Sequence, residues 1–218
     1  MKNQFKCYVI NLPDNIKRKQ LFLKEWKNRH PVDFIEAVDT RHEKWINFKH
    51  HLSEKALSVL QESIKNNKRK THEELLPGAI GCYLSHLKCW ENFTKTDKNY
   101  CLIFEDDTTI PDKLFPKLKK IINNTKKPWD VICLGYLSDD KEEFNEYLIK
   151  LRKYYCTHAY VLNKNSAIKL MQKHDKIEKQ IDAYFSSISD EFIILGTKKI
   201  LCEQKNSCYM TNIQTIKV

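Results

Sequence analysis

Short β-branched apolar runs alternate with longer stretches of helical periodicity over most of this chain. A short apolar run is typical of a buried strand, whereas apolar residues spaced three and four apart indicate a helix. Strands that alternate with helices predict an α/β domain with a largely parallel sheet. The predicted strands are 6–12, 32–38, 100–105, 129–136, 154–162, 191–195 and 199–203, and the predicted helices are 14–28 (with Asp14 as cap), 53–66, 77–93, 112–123, 164–173 and 177–188.

These elements account for a single domain over residues 1–218. With 41% hydrophobic residues, the chain has enough apolar material to bury one substantial core. Two stretches interrupt the alternation. Residues 138–150 are polar, and residues 40–76 are polar and rich in histidine, with only one predicted helix. We therefore expect 40–76 to be a variable or mobile insertion.

Glycine is scarce, which narrows the ways in which the chain can hold a nucleotide. The four glycines match neither the G-x-G-x-x-G fingerprint nor the G-x-x-x-x-G-K-[ST] phosphate loop. The 38 basic residues outnumber the 28 acidic residues, which gives a net charge of +10. Of the basic residues, 33 are lysines and five are arginines. These lysines form scattered groups and no arginine-rich stripe interleaved with aromatic residues, so specific nucleic-acid binding is not indicated. Their field can still draw the protein to an anionic membrane surface.

The eight cysteines favour a reducing compartment. They include no C-x-x-C pair, and most lie inside apolar runs, where a free thiol behaves as a small hydrophobe. The first residues lack the apolar stretch of a signal peptide, and no run approaches the length of a membrane span. We expect a cytoplasmic protein, with any membrane association peripheral and at the inner membrane surface.

The most informative feature is the acidic step Glu105–Asp107, which ends the predicted strand 100–105. In open α/β sheets, ligands bind outside the carboxyl ends of the strands. Glu105 and Asp107 alternate and can point the same way, and two such carboxylates repel each other unless a cation lies between them. Hard oxygen ligands of this kind suit Mg²⁺ or Mn²⁺ bridging a diphosphate. The alternative is a solvated turn or a helix cap before Pro111.

Several motifs occur in an order that carries a family resemblance. They are Ile10–Asn11–Leu12 with Arg18, AVD at 37–39, GxxGCxxSHxxxW at 78–90, LIFEDD at 102–107 and THAYVLNKNSAIKLM at 157–171. Together they resemble glycosyltransferase family 25, the lipopolysaccharide and collagen galactosyltransferase group. The resemblance covers about 10–190, and the block 81–86 followed by the acidic step is its most specific part.

The resemblance implies a GT-A-like, Rossmann-like fold with a mostly parallel sheet flanked by helices. It also implies a UDP-sugar donor, UDP-galactose or UDP-glucose, a divalent metal, Mn²⁺ or Mg²⁺, and hexose transfer with inversion. The acidic step takes the place of the family's D-x-D motif. Asp107 is then the first metal ligand, with Glu105 also a metal ligand and Asp106 reaching the donor.

Further donor-binding residues follow from the same resemblance. Asn11 and Arg18 match the first motif, and the arginine fork suits a uracil or a phosphate. Asp39 is placed to bind ribose or base, with a turn residue as the alternative. Ser85 and His86 lie one turn beyond Gly81, where a backbone can approach the donor closely. A structural histidine and a helix-surface arginine are the alternative interpretations of His86 and Arg18.

Inverting transfer needs a base that takes the proton from the acceptor hydroxyl. Asp182 matches a late family segment and is the candidate, with a surface helix acid as the alternative. His158 is either a metal or diphosphate ligand or a buried histidine with its hydrogen bonds satisfied. The third metal ligand is not identified. The acceptor is a glycan, a lipid-linked saccharide or a protein hydroxyl.

Two rival functions remain at this point. A haloacid-dehalogenase-type phosphatase also places acids after an apolar strand, but its nucleophile must be an aspartate on the first strand, where this chain has Glu105 on the third. A non-enzymatic basic protein that binds nucleic acid or an anionic membrane is the second rival. Its affinity would fall steeply with salt and would not depend on Asp107.

Overall fold

A computed structural model describes residues 4–205 of the chain, and the strands of this part form one eight-stranded sheet in the order β2-β1-β3-β7-β4-β8-β6-β5. The strands are β1 (Phe5–Asn11), β2 (Asp33–Glu36), β3 (Tyr100–Glu105), β4 (Val131–Cys133), β5 (Lys141–Glu143), β6 (Leu148–Leu151), β7 (Ala159–Asn163) and β8 (Ile194–Thr197). The helices are α1 (Ile16–Trp26), α2 (Glu54–Asn66), α3 (Pro77–Thr94), α4 (Leu114–Asn124), α5 (Lys164–Lys173) and α6 (Ile181–Ser187), with a 3₁₀ helix at His42–His51.

Six of these eight strands point the same way. β1 pairs in parallel with both β2 and β3, and β4 pairs in parallel with β8. Only β6 and β7 run in the opposite direction. The mostly parallel α/β sheet flanked by helices that the sequence predicts is therefore confirmed.

Each face of the sheet is covered by helices, because side chains alternate between the two faces along each strand. In β3, Cys101 and Ile103 join the core under α2, α3, α5 and α6. Leu102 and Phe104 join the opposite core, which contains Phe22 of α1 and several residues of α4. A strand buried on both faces reads as a continuous apolar run, which is the pattern that reveals β3 in the sequence.

Some predicted elements differ from the structure. The polar stretch 138–150 contains the hairpin strand β5 and the start of β6, although Lys141–Glu143 is fully exposed and carries no apolar signal. The predicted strand 154–162 begins only at Ala159, and 199–203 forms no strand. The predicted cap of α1 is also wrong: Asn15 occupies that position without a side-chain bond, and Asp14 pairs with Arg41 at 2.7 Å.

The segment 40–76 is attached to the core at several points. Leu60 of α2 and Leu76 are fully buried in the core beneath α3. Arg69, which lies in a lysine-rich group, is buried as well, and its guanidinium donates to the carbonyl oxygens of His72 and Glu74 at 3.3 and 3.5 Å. That this segment is a mobile insertion stays a prediction.

The seven cysteines between residues 4 and 205 are free thiols, and most are buried, as their apolar surroundings in the sequence predict. Cys208 lies outside the described residues. Within the same range, no helix combines the length and the apolar character needed to cross a membrane.

Candidate functional site

Four strands bring their chemistry-bearing residues to one edge of the sheet. β2, β1 and β3 are parallel and end there, and β7 starts there because it runs antiparallel to β3. A cavity of about 750 Å³ opens at this edge. Its lining includes the acidic step, Arg18, Asp39, Ser85 and Asp182, together with Arg41, Leu137, Tyr155, Cys156, His158, Gln204 and Lys205.

Asp106 is held by the first sequence motif. Its Oδ2 atom accepts a hydrogen bond from Asn11 Nδ2 at 2.7 Å, and its Oδ1 atom pairs with Arg18 Nη1 at 3.0 Å. Burial raises the pKa of Asp106, and the contacts with Asn11 and Arg18 oppose that rise. Asn11 therefore orients a carboxylate of the acidic step, whereas Arg18 lies on the cavity wall itself.

Asp107 is an incompletely satisfied acid in the cavity. Its Oδ2 atom lies 3.4 Å from Arg18 Nη1 and accepts a weak bond from Gln204 Nε2 at 3.3 Å. Its Oδ1 atom is buried and has no hydrogen-bond partner among residues 4–205. Burial, followed by repulsion from Glu105, raises the pKa of Asp107 to about 7. A buried, unpaired carboxylate oxygen is costly by itself and is a natural ligand for a divalent cation.

Glu105 points toward α3. Its Oε1 atom lies 3.6 Å from Nε2 of His86 and 3.8 Å from the Cys82 thiol. Burial alone would raise the pKa of Glu105, but the His86 ring outweighs it and the pKa is lowered. Cys82, His86 and Glu105 offer ligand atoms within 4.8 Å of one another. Burial raises the pKa of Cys82, so without a metal the thiol keeps its proton and is a weak donor to Glu105.

A hydrogen-bond relay behind the cavity sets the tautomer of His86. The indole of Trp90 can only donate, and its Nε1–H donates to the Tyr160 hydroxyl oxygen at 2.9 Å. The Tyr160 hydrogen then needs an acceptor, and His86 Nδ1 lies 2.8 Å away. With Nδ1 accepting, the proton of a neutral ring is on Nε2, the atom that faces Glu105. In this tautomer the Nε2–H is directed at Glu105 Oε1 from 3.6 Å, beyond hydrogen-bond distance, and Nε2 offers no lone pair to a metal.

Ser85 and Gly81 join α3 to the end of β2. The Ser85 hydroxyl donates to the Gly81 carbonyl at 2.6 Å and accepts the Val38 N–H at 2.9 Å. The Gly81 N–H donates to the Thr40 hydroxyl at 2.9 Å. A Cβ on Gly81 would overlap the Val38 carbonyl oxygen. The close approach predicted at Gly81 is therefore made by the chain's own backbone, and Ser85 has both of its hydrogen bonds satisfied within the protein.

Asp39 forms a charged cluster at the end of β2. Its Oδ1 atom pairs with Arg41 Nε at 2.8 Å, and Lys44 contacts its Oδ2 atom. Hydrogen bonding to Arg41, helped by Lys44, holds the pKa of Asp39 below its usual range despite partial burial. Asp39 and Arg41 both line the cavity, so this flank presents an ionised acid together with a cation.

Asp182 faces the cavity from the first turn of α6. Its Oδ2 atom accepts the Cys156 N–H at 3.2 Å, and its Oδ1 atom accepts the Ala183 N–H at 2.7 Å. Burial raises the pKa of Asp182 although both backbone bonds lower it. This raised pKa is a property that a general base needs, because it brings the affinity for a proton closer to neutrality.

His158 contributes more through its backbone than through its ring. Its carbonyl oxygen accepts the Glu105 N–H and the Thr108 hydroxyl, both at 2.8 Å, which fixes the acidic step against β7. Its ring Nε2 lies 3.0 Å from the Cys202 carbonyl, so Nε2 carries the hydrogen. The other ring nitrogen, Nδ1, is buried without a partner in the described range, so the ring is only half satisfied.

The arrangement can be compared with known proteins. The family described as glycosyltransferase family 25 (LPS biosynthesis protein) matches residues 4–185. This chain belongs to glycosyltransferase family 25. A glycosyltransferase 25 family member of Anopheles gambiae is 25% identical over 174 residues, which are 76% of this chain and 28% of that protein.

Two further relatives show the range of the family. Human procollagen galactosyltransferase 2 is 25% identical over 134 residues, 59% of this chain and 20% of that protein. A probable inactive glycosyltransferase 25 family member 3 from Bos taurus is 31% identical over 105 residues, 44% of this chain and 18% of that protein. The family 25 chain thus matches less than a third of the length of each of these relatives.

Within this family 25 site, the structure separates residues that the sequence motifs group together. The acidic step, Arg18, Asp39, Ser85 and Asp182 line the cavity. His86 is fully buried behind Glu105 and does not line the cavity, so its direct contact with a donor stays a prediction. Asn11 likewise acts through Asp106.

Sequence reasoning missed several residues of the site, among them Cys82, Tyr155, Tyr160 and Gln204. Cys82 lies four residues before His86 on α3, a spacing that places both on one helix face and is visible in the sequence. Tyr160, Gln204 and Tyr155 come from distant segments and leave no comparable local signal. Gln204 reaches Asp107 only because the segment after β8 returns across the end of β3, where the Lys205 N–H donates to the Asp107 carbonyl at 2.9 Å.

Proposed function

We propose that this domain is an inverting, metal-dependent hexosyltransferase that moves galactose or glucose from a UDP-sugar to a hydroxyl group. The observation that carries the proposal is the acidic step, with Arg18 bridging Asp106 and Asp107 at the mouth of three parallel strands. Because the chain has no glycine-rich phosphate loop, this arginine and a cation on the acids take the place of a backbone cradle.

The residues present suit a divalent cation. Asp107 Oδ1 is buried without a partner, and repulsion between Glu105 and Asp107 contributes to the raised pKa of Asp107, so a cation would remove both penalties. Asp107 would hold Mn²⁺ or Mg²⁺ together with Glu105. When bound, such a metal stabilises the charge that develops on the departing UDP.

The protein's own groups would bind and orient the donor. Arg18 presents a fork near Asp106 and Asp107 that suits a phosphate, and Asp106, held by Asn11, can accept a hydroxyl hydrogen of the ribose or the sugar. Asp39 is ionised and partly exposed beside Arg41, as hydrogen bonding to ribose or base requires. Ser85 and His86 support this arrangement from α3, since their polar atoms face the protein.

Asp182 is the proposed base. Its carboxylate lines the cavity, and two backbone N–H groups hold it in one orientation. In an inverting transfer, it would accept the proton of the acceptor hydroxyl as that oxygen attacks the anomeric carbon from the face opposite UDP. The raised pKa of Asp182 increases its affinity for the proton of the acceptor hydroxyl.

The donor sugar, the acceptor and the cellular location are also part of the proposal. Galactose is favoured because a related protein is named procollagen galactosyltransferase 2. The acceptor is a glycan, a lipid-linked saccharide or a protein, and we place the reaction in the cytoplasm, with the lysine-rich surface allowing peripheral contact with an anionic membrane. Membership in family 25 and the position of Glu105 on the third strand both argue against the phosphatase alternative.

Calorimetry with UDP-galactose and UDP-glucose, with and without Mn²⁺, tests the proposal. We expect binding that requires Mn²⁺ and is lost in Asp107→Asn. The control is Asp139→Asn, because Asp139 is exposed and outside the cavity. Failure of the wild-type protein to bind either donor with Mn²⁺ would contradict the proposal.

Some relatives are named inactive, which favours a donor-binding protein without turnover as the second candidate. The two candidates differ in one measurement. A transferase releases UDP from the bound donor, at least slowly by transfer to water, whereas a binding protein returns the UDP-sugar intact. Release of UDP that disappears in Asp107→Asn and persists in Asp139→Asn supports the enzyme.

A further inference from the structure

Two large apolar side chains are exposed at the mouth of the cavity. Leu137 is 66% exposed and Tyr155 is 38% exposed, and both line the cavity. Among residues 4–205, the Tyr155 side chain makes no hydrogen bond and no ring contact. Packing does not explain a partly exposed aromatic ring beside the acids of the cavity. We call Leu137 and Tyr155 the apolar lip.

The apolar lip is held in a fixed place. The Leu137 N–H donates to the Tyr155 carbonyl at 3.0 Å, and the Tyr155 N–H donates to the Leu137 carbonyl at 2.8 Å. The next residue, Cys156, has a φ of 75°, a left-handed conformation that is uncommon for a side chain of this kind. That conformation accompanies the bond from the Cys156 N–H to Asp182 Oδ2. The ring of Tyr155 and the carboxylate of Asp182 are therefore placed by consecutive residues.

Charge divides the cavity into two flanks. Its arginine and lysine side chains are Arg18, Arg41 and Lys205, which contact Asp106, Asp39 and Glu25 respectively. By contrast, the other flank has no arginine or lysine. It consists of Leu137, Tyr155, Cys156, Ile181 and Asp182. A diphosphate there would meet Asp182 with no arginine or lysine to offset its charge, whereas Arg18 lies among the acids of the opposite flank, so the apolar lip suits a neutral molecule.

A pyranose ring matches this chemistry. One face of such a ring presents C–H groups, which an aromatic side chain can cover, and its rim presents hydroxyl groups, which a carboxylate can accept. Building on the proposed function, we propose that the apolar lip is the acceptor subsite and takes a neutral hexopyranose, with Tyr155 against one face and Asp182 accepting the attacking hydroxyl. The acceptor is thus a saccharide. Binding of a peptide at the apolar lip is the alternative that the experiment tests.

Saturation-transfer NMR tests this proposal with simple probes. Methyl β-galactoside, methyl β-glucoside and a short lysine-containing peptide are each added to the protein with UDP and Mg²⁺ present, because Mg²⁺ is diamagnetic and does not broaden the ligand signals. We expect saturation of ring C–H groups of at least one hexoside and none of the peptide. Tyr155→Ala should weaken hexoside binding by about tenfold, the effect expected on losing a stacked ring, whereas Tyr155→Phe should retain it.

The variants can be interpreted because the bonds at this position are made by backbone atoms. Thermal unfolding of Tyr155→Ala close to wild type shows that the fold is kept, and unchanged affinity for UDP with Mn²⁺ shows that the donor flank is intact. A marked loss of UDP affinity in Tyr155→Ala would instead place the nucleobase on the ring and overturn the proposal. Hexoside binding that is absent, or that does not depend on Tyr155, also overturns it.

Failure of the proposed function looks different in the same experiment. If the wild-type protein binds no UDP and no UDP-sugar while a hexoside still binds through Tyr155, the lip is a saccharide site in a protein that is not a UDP-sugar transferase. If the donor binds and no hexoside does, the transferase stands and the acceptor proposal falls.

Discussion

The Nε2 atom of His86 lies 3.6 Å from the Oε1 atom of Glu105, with the histidine ring completely shielded from solvent. At this distance the contact is electrostatic and longer than a hydrogen bond. It lowers the pKa of Glu105 although burial acts in the opposite direction, while the pKa of Asp107 rises to about 7. The pKa values of Glu105 and Asp107 thus shift in opposite directions. Such shifted pKa values are typical of functional sites.

The tautomer of His86 can be measured directly. Because Trp90 donates to Tyr160 and Tyr160 to Nδ1, we expect long-range ¹H–¹⁵N NMR to show a neutral ring protonated on Nε2. Tyr160→Phe removes the hydroxyl and should give a mixture of tautomers. A ring protonated on Nδ1 in the wild type, or a shift of the signal on addition of Zn²⁺ alone, would contradict this assignment.

The stability of the metal-free protein should fall as the pH rises toward 7. The pKa of Asp107 is about 7 in the fold and 3.8 ordinarily, so the folded state binds one more proton between these values. The free energy of unfolding then decreases with pH by up to about 1.4 kcal/mol per pH unit from this group and levels off above its folded pKa.

Urea unfolding in EDTA at pH 5, 6, 7 and 8 measures this slope. Asp107→Asn should be less sensitive to pH than the wild type, whereas Asp139→Asn should follow the wild type. Mn²⁺ added in excess over EDTA at pH 8 should recover stability in the wild type and in Asp139→Asn but not in Asp107→Asn, since it binds the ionised carboxylates. Equal slopes for wild type and Asp107→Asn would show that Asp107 is not the titrating acid.

Gly81→Ala should destabilise the fold by at least about 2 kcal/mol, a typical cost of a forced overlap. The added Cβ would overlap the Val38 carbonyl oxygen and the Thr40 hydroxyl, which join α3 to the end of β2. Gly78→Ala, in the first turn of the same helix, is the matched control and should be neutral or stabilising because alanine favours a helix. Chemical denaturation of both variants checks the difference, and equal stabilities would refute the steric role of Gly81.

Asp182→Asn should lower kcat by about a hundredfold or more while leaving UDP-sugar affinity unchanged. The amide oxygen can still accept one of the two backbone N–H groups that hold Asp182, while the capacity to take a proton is lost. Steady-state transfer assays and donor titrations separate these effects. Loss of donor binding in Asp182→Asn would move this residue to the donor or metal site.

The α/β fold could be predicted because its signals are local. A strand buried on both faces reads as an apolar run, as in β3, and the acidic step that follows it must lie at the carboxyl edge of the sheet. The exposed strand β5 has the sequence Lys141–Glu143 and exists only through pairing with β6, so no pattern in the chain could reveal it.

The sequence by itself determined most strands of the sheet, the six α-helices and the acids at the sheet edge, because hydrophobic periodicity and residue type act over a few neighbouring positions. Tertiary structure alone decided what each acid does. Glu105 turns toward His86, Asp106 toward Arg18, and Asp107 keeps one oxygen without a partner, since each direction depends on contacts from segments distant in sequence. The apolar lip of Leu137 and Tyr155 was likewise decided by a backbone pairing between two separate loops.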